Sequence, residues 1–205
     1  MQVVEPVINT SVFLQPNIYL TLYEKMNVNK ENEMDERKGA FSSRGKALTV
    51  YGKELAVGDT APRFTVSKSL LENVDSKDIL KNKVTILSTV PSLDTGICDM
   101  QTRKFNEEAS KLGENVQVVT ISMDLPTAQA RWCGAAGLDN AIVLSDYKEA
   151  DFGKAFGCLV IEMRVLQRGA FVIDVDGVIQ YAEYMSDISM QPNYDAVIKV
   201  AKSLL

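Results

Sequence analysis

Histidine is absent from all 205 residues, tryptophan occurs once and cysteine three times. Without histidine there can be no Ser-His or Cys-His pair and no imidazole-ligated metal. Any nucleophile must be activated by a helix terminus, a hydroxyl or a fixed cation. Three cysteines are too few, and odd in number, for a secreted disulfide scaffold. No apolar run approaches the roughly 18 residues of a membrane span. The net charge of −5 gives no general reason to bind nucleic acid or anionic lipid. What remains is 46% apolar and 24% charged, the balance of an ordinary globular domain.

Residues 1–36 differ from the rest and are read as an extension, disordered or weakly attached, with residues 37–205 as the folded domain. The first basic residue is Lys25, so the positive region of a secretory signal is missing. Met26 and Met34 allow translation to start inside the extension. A sharper alternative is a partner-binding segment carrying Val12, Phe13, Leu14 and Tyr19.

Beyond it, residues 47–57 read as two short strands around a turn at Gly52. A strand at 63–66 and a helical turn at 76–80 follow. Residues 84–90 (Val-Thr-Ile-Leu-Ser-Thr-Val) form a continuous β-rich run of the kind buried at the centre of a sheet. Pro91 breaks it. A helix over 97–112 follows, with Phe105, Ala109 and Leu112 on one stripe. Strand 116–122 comes next, then a helix from Pro126 to about 136, then strand 141–144. Strands 169–174 and 178–183 flank Asp176-Gly177, the strongest hairpin signal in the chain. Residues 193–205 close as a helix. This order predicts an α/β fold, a mixed central sheet flanked by helices, with an N-terminal β-hairpin.

The chemically informative stretch is Pro91-Ser-Leu-Asp-Thr-Gly-Ile-Cys98. It lies past the carboxyl end of a buried strand and opens a helix, where clefts of open α/β sheets form. The unpaired N–H groups of the first turn and the positive end of the helix dipole favour a thiolate there. Cys98 stands nearly two helical turns before Phe105, so its sulfur points inward on the same stripe. A buried cysteine is also an ordinary small hydrophobe. Thr95 is placed to bond the sulfur and an incoming oxygen, although a threonine there is also an ordinary helix cap. Pro91 would wall the sulfur off from water, although it also simply ends a strand.

Pro91-x-x-x-Thr95-x-x-Cys98 resembles the active-site signature of peroxiredoxins, and Ser92-Leu-Asp-Thr-Gly-Ile-Cys98 is closer still to their thiol peroxidase subfamily. The resemblance continues through Met123-Asp-Leu-Pro126, Arg131-Trp-Cys-Gly-Ala-Ala-Gly137, Leu144-Ser-Asp146, Phe156-Gly157 and Leu166-Gln-Arg-Gly-Ala-Phe-Val-Ile-Asp174. It covers residues 40–205 in unbroken order and implies a thioredoxin-like fold. It further implies that Cys98 is the peroxidatic cysteine, with Thr95 as its hydroxyl partner and Pro91 as its shield. Arg168 matches the arginine that reaches the pocket, with Arg164 as a nearby competitor. Cys133 matches the resolving cysteine, giving an intrachain Cys98–Cys133 disulfide. Two cysteines on separate helices need not start within bonding range, so both segments are expected to unwind locally in each cycle. Trp132, beside Cys133, should report that change, although a tryptophan there is also an ordinary packing residue. The implied substrates are hydrogen peroxide and organic hydroperoxides, with thioredoxin as reductant, and the implied assembly is a homodimer. No cofactor, metal, nucleic acid or membrane is expected, and the cytoplasm is the expected location.

Cys158 departs from the subfamily pattern and reads as a buried spectator, with a back-up resolving role as the alternative. A thioredoxin-type oxidoreductase would need Cys-x-x-Cys, but Cys98 is followed by Asp99-Met-Gln101. A non-catalytic binding module has no need of a polarised thiolate. Three widely spaced cysteines fit no usual zinc pattern.

Overall fold

The computed structural model describes residues 35–138 and 140–205. The reading of the N-terminal extension lies outside them. The compact unit runs from Glu36 to Leu205.

The central sheet grows from three parallel strands: β5 (Val84–Thr89), β6 (Val116–Ser122) and β7 (Ile142–Ser145). Every residue of β5 is buried, as its unbroken β-branched and apolar run demands. On one side β10 (Gly169–Ile173) pairs antiparallel with β5, and β11 (Ile179–Tyr184) pairs with β10 through the hairpin at Asp176-Gly177. On the other side β3 (Thr65–Ser67) joins β7, and β4 (Asn73–Asp75) closes the edge. The sheet is therefore mixed, in the order β11-β10-β5-β6-β7-β3-β4.

Helices α2 (Gly96–Ser110), α3 (Pro126–Ala136) and α5 (Tyr194–Ser203) agree with the periodicity to within one or two residues, and α1 (Ser76–Ile79) is the predicted single turn. Phe105, Ala109, Val197 and Ala201 pack with Val84, Ile86 and Val118 as one core layer. Phe64, Phe152, Phe156 and Phe171 form the other.

The N-terminal hairpin differs from the prediction. It is formed by β1 (Glu36–Ser43) and β2 (Lys46–Tyr51), turning at Arg44-Gly45 with φ of 52° and 77°. Two successive positive-φ residues give the turn geometry that suits hairpin twist. The strand was hidden because Glu36-Arg-Lys-Gly carries no apolar alternation and only Phe41 is buried. Gly52 is not a strand-joining turn. A Cβ there would lie 2.6 Å from the Lys154 carbonyl oxygen, so its role is close backbone approach. β1 and β2 continue into a small second sheet with β8 (Leu159–Val160) and β9 (Val165–Leu166), two strands too short to show a period.

A further helix, α4 (Asp151–Ala155), begins beside Asp146. Asp146 is buried, and its carboxylate accepts from the backbone N–H of Phe152 at 3.1 Å and of Gly153 at 2.8 Å. Burial pushes its pKa up from 3.8 to about 6, against the pull of those two donors. A proton is then bound more tightly in the folded chain than in the unfolded one. The stability this contributes is complete below pH 3.8 and is lost as pH rises through about 6. Asp146→Asn, neutral throughout, should therefore destabilise by about 1 kcal/mol less at pH 7 than at pH 5 in urea unfolding. Equal penalties at the two pH values would show that Asp146 titrates normally. Among the described residues no helix is long and apolar enough to cross a membrane.

Candidate active site

β5 ends at Thr89, and the turn that follows, Thr95 N–H to the Ser92 carbonyl at 3.2 Å, delivers the chain into α2. The turn is anchored from below by Asp124, just past the end of β6. Asp124 accepts from the Ser92 hydroxyl and from the Leu93 N–H, both at 2.8 Å. Cys98 sits in the first turn of α2 and its side chain is fully buried, inward on the stripe with Gln101, Thr102 and Phe105. Its apolar surroundings are Val90, Leu93 and Trp132.

Thr95 occupies the N-cap position of α2, yet its side chain makes no capping bond. Its Oγ1 lies 2.7 Å from Cys98 Sγ and 3.1 Å from the Ser92 carbonyl oxygen. One hydroxyl proton serves one acceptor at a time. Against a thiol, Thr95 can donate to Ser92 and accept S–H; against a thiolate, it can turn its proton to sulfur. Thr95 is exposed, so the sulfur lies directly beneath the surface at this point.

Antiparallel pairing of β10 with β5 sets Gly169 opposite Thr89. That register carries Arg168, one residue earlier, to the carboxyl end of β5, beside the start of α2. Arg168 is only 1% exposed. Its Nη2 donates to Cys98 Sγ at 3.2 Å and to the Ile188 carbonyl at 3.3 Å, and its Nη1 to Gln101 Oε1 at 2.8 Å. Its Nε finds no acceptor among the described residues. Nor does any carboxylate pair with Arg168 among them. Arg164 turns away, exposed, with Nη2 3.2 Å from the Lys148 carbonyl oxygen.

Two supports of the site, one residue and one segment, escaped the sequence reading. Gln101 is fully buried, and its amide nitrogen donates to Ser88 Oγ at 2.8 Å and to the Thr89 carbonyl at 3.2 Å. Those bonds leave its carbonyl oxygen facing Arg168. The available signal was a polar residue on the inward stripe, one turn after Cys98. The segment 185–188 is the other support. Met185 N–H bonds the Arg168 carbonyl at 2.9 Å, and Ile188 N–H bonds Ser42 of β1 at 2.9 Å. The N-terminal hairpin thus braces the guanidinium.

Cys133 lies on α3, half-buried, with Ala136, Leu138 and Val143 against the apolar cluster that contains Cys98 and Trp132. The two thiols border one cluster, and none of the three cysteines is in a disulfide. Cys158 belongs to the other core layer, among Phe152, Phe156 and Leu166. It is fully buried, and burial pushes its thiol well above the usual range, with the Asp146 charge adding to the shift and Arg37 opposing it. Such a thiol is inert, which suits a spectator. Pro91 is buried at the strand end, next to Val90.

A profile of the Redoxin family matches residues 56–198. A thiol peroxidase of Bacillus subtilis (strain 168) is 52% identical over 162 residues, spanning 79% of this chain and 96% of that protein. The chain belongs to the thiol peroxidases of the Redoxin family. Another thiol peroxidase, from Streptococcus pneumoniae, is 48% identical over 160 residues, 78% of this chain and 97% of its own length. Among solved structures, a peroxiredoxin-like protein from Aquifex aeolicus superposes with a TM-score of 0.73 at 35% identity, covering 83% of this chain and 99% of that one. Peroxiredoxin neighbours of this kind establish the thioredoxin-like fold expected from the sequence.

Proposed function

We infer that this chain is a thiol-dependent peroxidase that reduces hydrogen peroxide and organic hydroperoxides, with residues 37–205 as the catalytic domain. The observation that carries the reading is the buried Arg168, which has no carboxylate partner among the described residues and one guanidinium nitrogen 3.2 Å from Cys98 Sγ. A buried cation is costly unless an anion or good acceptors offset it. The Cys98 thiolate is the anion within reach.

In this reading the Cys98 thiolate attacks the terminal oxygen of the hydroperoxide. The S–O bond forms as the O–O bond breaks, and the departing oxygen takes a proton to leave as water or an alcohol. Thr95 and Arg168 hold the two oxygens and stabilise the charge that moves between them, while Pro91 and the apolar cluster keep water from the sulfur. Cys98 becomes a sulfenic acid. The Cys133 thiol then condenses with it, one water leaves, and an intrachain Cys98–Cys133 disulfide results. A thioredoxin-type dithiol returns both sulfurs to thiols. The relatives named thiol peroxidase support this cycle, as does the shared apolar cluster of the two cysteines. The cycle needs no cofactor and fits a role in antioxidant defence; a cytoplasmic location and a homodimer belong to the same proposal through the likeness to thiol peroxidases.

The test is hydroperoxide consumption coupled to a thioredoxin system. Wild-type chain should turn over continuously. Cys133→Ser should consume about one equivalent per chain and stop, because its sulfenic acid has no partner thiol. Continuous turnover by Cys133→Ser at the wild-type rate would remove Cys133 from the cycle.

A further inference from the structure

Arg103 crosses from the helix of Cys98 to the helix of Cys133. It projects from α2, where its Nε is 3.0 Å from both carboxylate oxygens of Asp99, the residue after Cys98. Its Nη1 donates to the carbonyl of Ala136, the last residue of α3, at 2.8 Å. Its guanidinium carbon lies 5.7 Å from the centroid of the Trp132 ring, within cation–π range.

The point of attachment matters more than the number of bonds. The last carbonyls of a helix have no intrahelical partner. At the end of α3 the left-handed Gly137, φ 67°, lets Leu138 N–H bond the Cys133 carbonyl at 3.0 Å and Gly137 N–H bond the Gly134 carbonyl at 3.3 Å. Arg103 satisfies the Ala136 carbonyl from outside the helix. The turn it closes is the one that begins with Cys133, and the anchor it uses is the residue beside Cys98. A cation at this end also complements the helix dipole.

We propose that Arg103 is a positioning residue that latches the Cys133 turn of α3 onto α2, and that releasing this latch limits the rate of disulfide formation. The proposal rests on Cys133 as the resolving thiol. With the latch closed, the last turn of α3 stays wound, while Thr95 and Arg168 hold Cys98 for attack on the peroxide independently of it. With it open, the last turn of α3 unwinds and Cys133 reaches the sulfenic acid. Among the described residues the Arg103 guanidinium bonds Asp99 and Ala136 and not the Cys98 sulfur, so its removal should separate the two steps of the cycle.

Stopped-flow Trp132 fluorescence after mixing reduced protein with hydrogen peroxide reads both steps, with acid-quenched thiol mass to identify each species. Arg103→Gln should speed the second phase about tenfold, equivalent to about 1.4 kcal/mol, and leave the first within about twofold. Asp99→Asn, which only loosens the anchor, should act in the same direction with a smaller effect. Arg103→Lys should fall between wild type and Arg103→Gln. Excess peroxide should produce less Cys98 sulfinic acid in Arg103→Gln, because a shorter-lived sulfenic acid meets fewer second oxidants. An unchanged or slowed second phase in Arg103→Gln, or a first phase slowed in parallel, would overturn the latch. Should Arg103→Gln not fold, an unchanged second phase in Asp99→Asn would overturn it instead. A Cys133→Ser control distinguishes the failure of the underlying reading. Its second phase must vanish, and a surviving one would refute Cys133 as the resolving thiol, and the latch with it.

Discussion

Cys98→Ser is expected to lower hydroperoxide turnover by at least about a thousandfold while the chain remains folded. Serine occupies less volume than cysteine and can keep hydrogen bonds with Thr95 and Arg168, so the buried niche among Val90, Leu93 and Trp132 tolerates it. The loss is chemical. A hydroxyl is not ionised near neutral pH, and oxygen does not accept a peroxide oxygen as a polarisable thiolate does. No histidine exists anywhere in the chain to act as a base in its place. Peroxide consumption alongside urea unfolding separates the two explanations. Robust turnover by a folded Cys98→Ser chain would end the peroxidase reading at this site.

Arg168→Met should reduce the second-order rate with hydroperoxide by roughly 10²–10³, the scale expected when one preorganised charge-stabilising donor is removed. Methionine fills much of the same volume without the fork. It leaves Gln101 Oε1 without its buried donor and weakens the hold on the Ile188 carbonyl, each at about 1–3 kcal/mol. The variant should therefore be less stable as well as slower. Arg168→Lys keeps the charge but loses the planar geometry that serves Sγ, Gln101 and Ile188 together, and should fall between the two. The decisive readout is the fast Trp132 fluorescence phase measured where each variant is fully folded. A rate for Arg168→Met within about threefold of wild type would leave the buried guanidinium with a purely structural role.

Where each prediction was legible depends on the range of the interactions involved. The strand–Pro91–helix junction that presents Cys98 is local. β5 is a continuous β-rich run, and α2 carries a 3.6-residue stripe, so both elements and their boundary could be read directly. The same holds for the Asp176-Gly177 hairpin and for α3, whose start at Pro126 and left-handed end at Gly137 are local signals. β1 is local too, but its polar half carries no alternation, so it could not be distinguished from the extension before it.

Sequence alone determined the chemistry available to this protein. It allows a cysteine nucleophile at a helix start, no imidazole anywhere, and a threonine one turn ahead. Tertiary structure decided which partners that cysteine meets. Arg168 and Arg164 are both arginines near a strand, and only the pairing of Gly169 with Thr89 turns the first toward Sγ while the second faces the Lys148 carbonyl. Gln101, Asp124 and the Ile188 carbonyl support the site through bonds between elements distant in the chain. Cys133 and Cys158, already distinguished by the motif around the first, also enter different cores, which only the packing shows. The physical reason is that dihedral preference and periodicity act over a few residues, whereas a buried guanidinium is held by acceptors that only the folded sheet brings within about 3 Å.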